Sequence, residues 1–188
     1  VICPKPLITE RKWQVEMRRF DEEFIHLDGN NLREAMDHMD LEGAWPDYFS
    51  KAILPYSLID ESLLYGTRRG RRQSVKGLLD LDPPPHFDLV IVDEAHRIRN
   101  QETMTHKGVR FFCEHAEAVV FLTATPVQLE SDDLFVLLHA LRPDLIIDRP
   151  SFHHMAEPNP SINLAINHAR TNAIDWQQQV RAALTQAA

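Results

Sequence analysis

Two adjacent carboxylates, Asp93 and Glu94, close the short run Phe87-Asp88-Leu89-Val90-Ile91-Val92. Its apolar part, Leu89 to Val92, has the pattern of a strand buried on both faces of a parallel sheet. In open α/β sheets ligand chemistry collects just beyond the carboxyl ends of the strands. A strand that delivers Asp-Glu there is suited to the acidic half of a nucleoside-triphosphate site. Asp93 would hold Mg²⁺, mostly through its waters, because a hard cation takes carboxylate and phosphate oxygens. Glu94 would orient and deprotonate the water that attacks the γ-phosphate. The same residues would equally suit a buried strand whose acidic end caps the next helix, and alone they do not separate the two.

The residues that follow do separate them. Asp93-Glu94-Ala95-His96 continues as Arg97-Ile98-Arg99-Asn100, and a second apolar run, Val119-Val120-Phe121-Leu122, ends in Thr123-Ala124-Thr125-Pro126-Val127-Gln128. This pair resembles motifs II and III of superfamily-two helicases, with the DEAH form of motif II. The Arg-x-x-Asn extension and the Thr-Pro-x-Gln ending resemble those of the Swi/Snf-type double-stranded DNA translocases. Asp132-Asp133-Leu134-Phe135 through Arg142-Pro143 is similar to the segment that follows motif III there, although Leu129 stands where that family usually has Asn. The resemblance implies ATP and Mg²⁺ as cofactors, Asp93 as the metal carboxylate and Glu94 as the base. It also implies double-stranded DNA as a partner and a second RecA-like lobe of the same polypeptide that supplies arginine fingers. His96, Thr123, Thr125 and Gln128 would couple hydrolysis to grip on DNA rather than catalyse.

Stepping from the site to its supports, the expected fold is α/β, a three-layer parallel sheet with helices on both faces, as in a partial RecA-like lobe. We expect that lobe over residues 1–148, a linker over 149–160 and an amphipathic helix over 161–188. Val1-Ile2-Cys3 reads as a strand end, broken by Pro4-Lys5-Pro6. Thr9 reads as the cap of the next helix, with Trp13, Met17 and Phe20 on one face. Cys3-Pro4-Lys5-Pro6-Leu7 resembles the family's motif Ia, which implies that Pro4, Lys5 and helix-start N–H groups lie against a nucleic-acid backbone. Ala52-Ile53-Leu54 reads as a further strand. Tyr56 at its end would either meet a DNA phosphate or be an ordinary buried tyrosine.

Composition bounds the alternatives. With 188 residues and a formal charge of −8, the chain is long enough for a sizeable core and lacks a general basic coat for nucleic acid. Any DNA contact must therefore be local. Residues 21–47 hold nine acids against Arg33 and read as a solvated face turned away from DNA. The basic cluster is Arg68, Arg69, Arg71, Arg72 and Lys76, which reads as a phosphate-contacting loop or as a solvated one. Cys3 and Cys113 offer no disulfide framework, so a reducing compartment is expected, the cytoplasm or nucleoid of a bacterium or the nucleus of a eukaryote. No apolar run reaches membrane-spanning length and no signal peptide is visible.

His106, His115 and the pair His153-His154 lack metal-ligand spacing; we read the first two as surface residues. Thr103 to Glu114 reads as a helix with Val109 and Phe112 inward. Ser131 caps another, with Leu134, Leu137, Leu138 and Leu141 as its buried stripe. Ile162, Ile166, Ala169, Ala173, Trp176, Val180 and Leu184 recur at helical spacing and predict one long amphipathic helix. No Gly-x-x-x-x-Gly-Lys-Ser/Thr loop occurs. We therefore expect a piece of a larger motor with little ATPase activity alone. The other classes left open are an RNA-directed DEAH-box helicase and a non-catalytic interaction module.

Overall fold

The computed structural model describes residues 1–69, 73–124, 131–157, 159–171 and 175–185. It divides into two compact units, Val1–Leu141 and Arg142–Ala188. The first is built on a five-stranded, all-parallel sheet in the order β2-β3-β1-β6-β7. These strands are β1 (Ile2–Cys3), β2 (Ile25–His26), β3 (Ala52–Pro55), β6 (Phe87–Asp93) and β7 (Ala116–Leu122). An antiparallel pair, β4 (Thr67–Arg69) and β5 (Gln73–Val75), stands outside that sheet.

Register decides what each face buries. Ile2 pairs with both Leu54 and Val92, and these residues join the main core with Val90, Met36, Leu64, Ile98 and Val109. Helices α3 (Gly29–Glu42), α4 (Glu61–Tyr65) and α5 (Met104–Glu114) belong to that face. The alternate residues Cys3 and Ile53 turn to the other face, where Ile8, Trp13 and Phe24 pack on them. Ile8 comes from α1 (Lys5–Thr9) and Trp13 from α2 (Lys12–Arg18). Helices thus lie on both faces, as the sequence predicts.

The cover over the second face is incomplete among the described residues. Leu89, Val120 and Leu122 on β6 and β7 are 50%, 41% and 39% exposed. β6 is therefore buried on one face rather than two, because α1 and α2 pack mainly on the β1–β3 side and reach β6 at its end through Trp13.

Local chemistry explains most boundaries. Asp28 caps α3, its Oδ1 accepting from the N–H groups of Asn30 and Asn31 at 2.9 Å each. Gly43, in the left-handed region at φ 69°, ends it. Thr9 is not a cap: it sits in the last turn of α1 and donates to the Lys5 carbonyl. The chain instead breaks at Arg11, whose φ of 54° separates α1 from α2. In α6 (Ser131–Leu141) the buried residues are Phe135, Val136, Leu137 and Ala140, while Leu134 is exposed. The buried side is rotated from the leucine stripe, because this helix is apolar almost all round and its period selects no single face.

The hairpin of β4 and β5 is fastened at its base to α3. Arg33 donates to the Lys76 carbonyl at 2.8 Å, and Lys76 pairs with Asp40 at 2.5 Å. Asp40 holds the Lys76 ammonium above its usual range. The acidic α3 thus takes up one member of the basic cluster.

The second unit corrects two expectations. Where a linker is expected, α7 spans Arg149–Ala156, capped by Asp148 with Pro150 in its first turn. The single long helix is instead α8 (Asn159–Thr171) and α9 (Trp176–Thr185), which pack against each other. Ile162, Ile166 and Leu184 are exposed, and Ala165 and Ala183 are the buried residues of the pair. No described helix is long and apolar enough to cross a membrane.

Candidate functional site

The parallel register brings the carboxyl ends of β1, β3, β6 and β7 to one edge of the sheet. Asp93 is paired with Leu122, so Thr123 follows beside Glu94. Lys5 follows β1 and Tyr56 follows β3 on the same edge. This places Lys5, Tyr56, Asp93, Glu94, His96, Arg97 and Thr123 around one rim, as the order of their strands dictates. Thr125, Gln128, Arg71 and Arg72, expected to act here or on DNA, lie outside the described residues.

Asp93 is held at two points. Trp13 Nε1–H donates to its Oδ2 at 2.9 Å, and the Tyr56 hydroxyl donates to its backbone carbonyl at 2.8 Å. Tyr56 is 7% exposed, so of its two sequence readings the structure shows the buried one, and its hydroxyl is committed to Asp93 rather than open to a phosphate. Burial raises the Tyr56 phenol, and the Asp93 charge raises it further, with Arg97 opposing. Burial likewise pushes the Cys3 thiol up to about 12, again with Asp93 adding. Both groups stay neutral beside Asp93.

Glu94 begins the turn out of the strand. It lies in the left-handed region at φ 55° and ψ 49°, and a 3-10 turn over Ala95–Ile98 follows. For a non-glycine residue this conformation costs of the order of 1–3 kcal/mol, and such strain collects at functional sites. Glu94 Oε2 and His96 Nδ1 are 3.2 Å apart but are not aligned as a hydrogen bond. Both atoms are buried and take no hydrogen-bond partner among the described residues. A buried carboxylate oxygen without a donor is uncommon in a folded protein, and a catalytic role or a bound water or ion is among its ordinary explanations.

The surrounding polar residues are more structural than their sequence pattern implies. Asn100 Oδ1 accepts from the Glu102 N–H at 3.0 Å and its carbonyl accepts from Thr103 Oγ1, so it shapes the turn into α5. Arg99 reaches Asp133 at 3.5 Å, an exposed pair. Arg97 and Lys5 are exposed, whereas Pro4 is buried beneath the α1 start. Pro6 has no N–H and that of Leu7 goes to the Pro4 carbonyl, which thins the helix-start donors expected to face a phosphate.

His106 is a correction. It is 5% exposed, and its Nδ1 is 2.7 Å from the Ile98 carbonyl. A carbonyl only accepts, so Nδ1 carries the proton and ties α5 to the turn after Glu94. His115 is partly buried and donates to the Phe111 carbonyl at 2.7 Å. Burial lowers the His106 pKa below 6.5. The unfolded chain then binds more protons than the folded one in acid, so this contribution to stability is intact above about pH 6.5 and is lost as pH falls through the folded pKa. His106→Gln should flatten the loss of melting temperature between pH 7.5 and 5.5; an unchanged pH slope would remove His106 from this role.

A cavity of about 570 Å³ opens elsewhere, among Phe24, Leu27, Trp45, Phe49, Phe87 and Leu89. It lies toward the amino ends of the strands and contains neither Asp93 nor Glu94. This cavity lies away from the chemistry, and the converging carboxylates are the better guide. Among the described residues no three His, Cys, Asp or Glu side chains converge as a metal cage. A single free carboxylate fits Mg²⁺ better than a caged metal, since Mg²⁺ keeps waters and shares substrate phosphates.

Comparison with known proteins gives the family and the fold. The family model described as the SNF2-related domain matches residues 1–171. The RNA polymerase-associated protein RapA of Vibrio campbellii is 29% identical over 161 residues, covering 81% of this chain and 14% of that protein. RapA of Yersinia pseudotuberculosis is 29% identical over 157 residues with the same coverage. This chain therefore spans about one seventh of the length of those relatives. The Sulfolobus solfataricus SWI2/SNF2 ATPase core, solved in complex with dsDNA, shares the fold at a TM-score of 0.51 and 19% identity, covering 98% of this chain and 31% of that one.

Proposed function

This chain belongs to the SNF2-related domain family, and from that premise we propose that it is part of the first lobe of an ATP-driven double-stranded DNA translocase. The observation that carries the reading is the pair Asp93–Glu94 at the carboxyl edge of the sheet, with Glu94 Oε2 buried and unpartnered. Asp93 would hold Mg²⁺, mostly through its waters. Glu94 takes the proton of the attacking water, the role of a positioned general base. The chemistry that Mg²⁺ would supply, when bound there with the nucleotide, is neutralisation of the phosphate charge. His96 and Thr123, beside Glu94, together with Thr125 and Gln128, relay the state of the site to the DNA-gripping surface. The relatives are several times longer than this chain, which supports a parent polypeptide carrying the phosphate-binding loop and a second lobe.

Lys5 and Arg97 are the exposed cations at the rim and the first candidates for duplex contact, with Asn100, Arg71 and Arg72 as further ones. The proposed compartment is the bacterial cytoplasm, after the bacterial relatives, and DNA-bound protein complexes are further candidate partners. The test is ATP turnover by the parent polypeptide with duplex DNA or with RNA. Duplex DNA should stimulate and RNA should not; stimulation by RNA alone would replace this reading with an RNA-directed one.

A further inference from the structure

Trp13 stands 80 positions before Asp93 in sequence, yet its indole N–H is 2.9 Å from Asp93 Oδ2. We propose that Trp13 is a positioning residue for metal-nucleotide binding: its N–H fixes one oxygen of Asp93 and leaves the other to face the cation. The proposal rests on the reading of Asp93 as the Mg²⁺ carboxylate.

Three observations carry it. The first is the bond itself, a hydrogen bond to an ionised group and so among the stronger and more directional ones. The second is that Trp13 is anchored: it is half-buried, packed on the cluster of Cys3, Ile8 and Ile53 that fastens α2 to the sheet. A side chain locked by packing can orient its partner, whereas a mobile one only follows it. The third is charge. Among the described residues no cation pairs with Asp93, and its neighbours Trp13, Tyr56 and Cys3 are all neutral donors or thiols. A lysine or arginine in the place of Trp13 would orient the carboxylate but would also cancel the charge that attracts Mg²⁺. An indole N–H restricts rotation about the Cβ–Cγ bond without that cancellation. Groups that orient a metal carboxylate from behind typically change metal affinity about 10–100-fold when removed.

The same bond ties the site to α2, which follows the Lys5 turn at the rim. The tryptophan thereby joins the metal carboxylate to the segment of the chain nearest a candidate DNA contact.

The experiment measures the Mg²⁺ concentration that half-saturates binding of a fluorescent, non-hydrolysable ATP analogue to the parent polypeptide. Three variants are compared with wild type. Trp13→Phe removes the N–H. Incorporation of 3-benzothienylalanine at position 13 replaces the N–H by sulfur while keeping the bicyclic shape. Asp93→Asn removes the charge. Both Trp13 variants should raise the half-saturating Mg²⁺ about tenfold or more, with the benzothienyl variant melting as wild type does. The benzothienyl arm decides the matter even if Trp13→Phe fails to fold. Wild-type Mg²⁺ dependence in that variant, with the dependence lost in Asp93→Asn, would overturn the role of Trp13 alone. An unchanged Mg²⁺ dependence in Asp93→Asn would overturn the reading of Asp93, and the role of Trp13 with it.

Discussion

Glu94→Gln is expected to lower ATP turnover by the parent polypeptide about 10²–10⁴-fold, the contribution of a positioned general base. Nucleotide affinity should stay close to wild type. Glutamine keeps the length and planarity of the side chain and so preserves the fit beside His96. It cannot accept a proton at neutral pH. The left-handed backbone at Glu94 makes the choice of glutamine important. An alanine there would also remove the side chain that lies beside His96, mixing a packing effect with a chemical one. Single-turnover hydrolysis measured beside equilibrium binding separates the two. A Glu94→Gln protein that hydrolyses within a few-fold of wild type would show that the base lies elsewhere.

The second large effect concerns the hairpin rather than the chemistry. Gly66 and Gly77 meet back to back at its base. A Cβ on Gly77 would stand 2.2 Å from the Leu64 carbonyl oxygen and 2.5 Å from the Gly66 nitrogen. A Cβ on Gly66 would stand 2.0 Å from the Val75 carbonyl oxygen. The obstacles are backbone atoms, which cannot rotate aside as a side chain can. Gly66 also adopts φ 71° and ψ −175°, a region open to glycine almost alone. Either alanine variant must displace the hairpin from its seat on α4. We expect about 3 kcal/mol of destabilisation, at the top of the usual range for overpacking. For a unit of this size that corresponds to a fall of about 6–12 °C in melting temperature. Gly29→Ala is the matched control, because nothing lies within 4 Å of its added Cβ, and it should melt within about 2 °C of wild type. Wild-type melting of both Gly66→Ala and Gly77→Ala would mean that the hairpin base is not packed as described.

The elements nearest the chemistry were the most legible in sequence. Leu89 to Asp93 and Val119 to Leu122 are rich in β-branched residues and end in unmistakable polar groups, so strand and site could be read together. Asp28 and Thr103 cap their helices through their side chains, a local code that the sequence carries at these positions. The misreadings have equally definite causes. Pro150 and Pro160 were read as marks of a linker, but both sit in the first turn of a helix, where a proline loses no hydrogen bond. His106 was placed on the surface by residue type, although it stands three residues before Val109 and seven before Cys113, on the buried side of α5. Helical spacing carried that signal and was outweighed by an assumption about histidine.

Trp13 shows a different limit. Its place on an apolar helical face was readable, but its bond to Asp93 was not. That contact depends on the left-handed break at Arg11, which turns α2 over the β1–β3 side of the sheet. Nothing in the local sequence encodes where the indole then arrives. The same holds for Tyr56, whose burial follows from β3 lying next to β1 and not from any feature of Pro55-Tyr56 itself.

The central claim is that this chain contributes Asp93 and Glu94 to a motor that spends ATP on duplex DNA. The most direct measurement is steady-state ATP turnover by the parent polypeptide as duplex DNA is titrated at fixed Mg²⁺. The account predicts a rate that rises to a plateau with DNA and needs more DNA to reach half-maximum as salt increases, because phosphate contacts release counterions. A rate that is absent, or is the same with and without duplex, would contradict it and leave Asp93 and Glu94 as features of a lobe that binds without turning over.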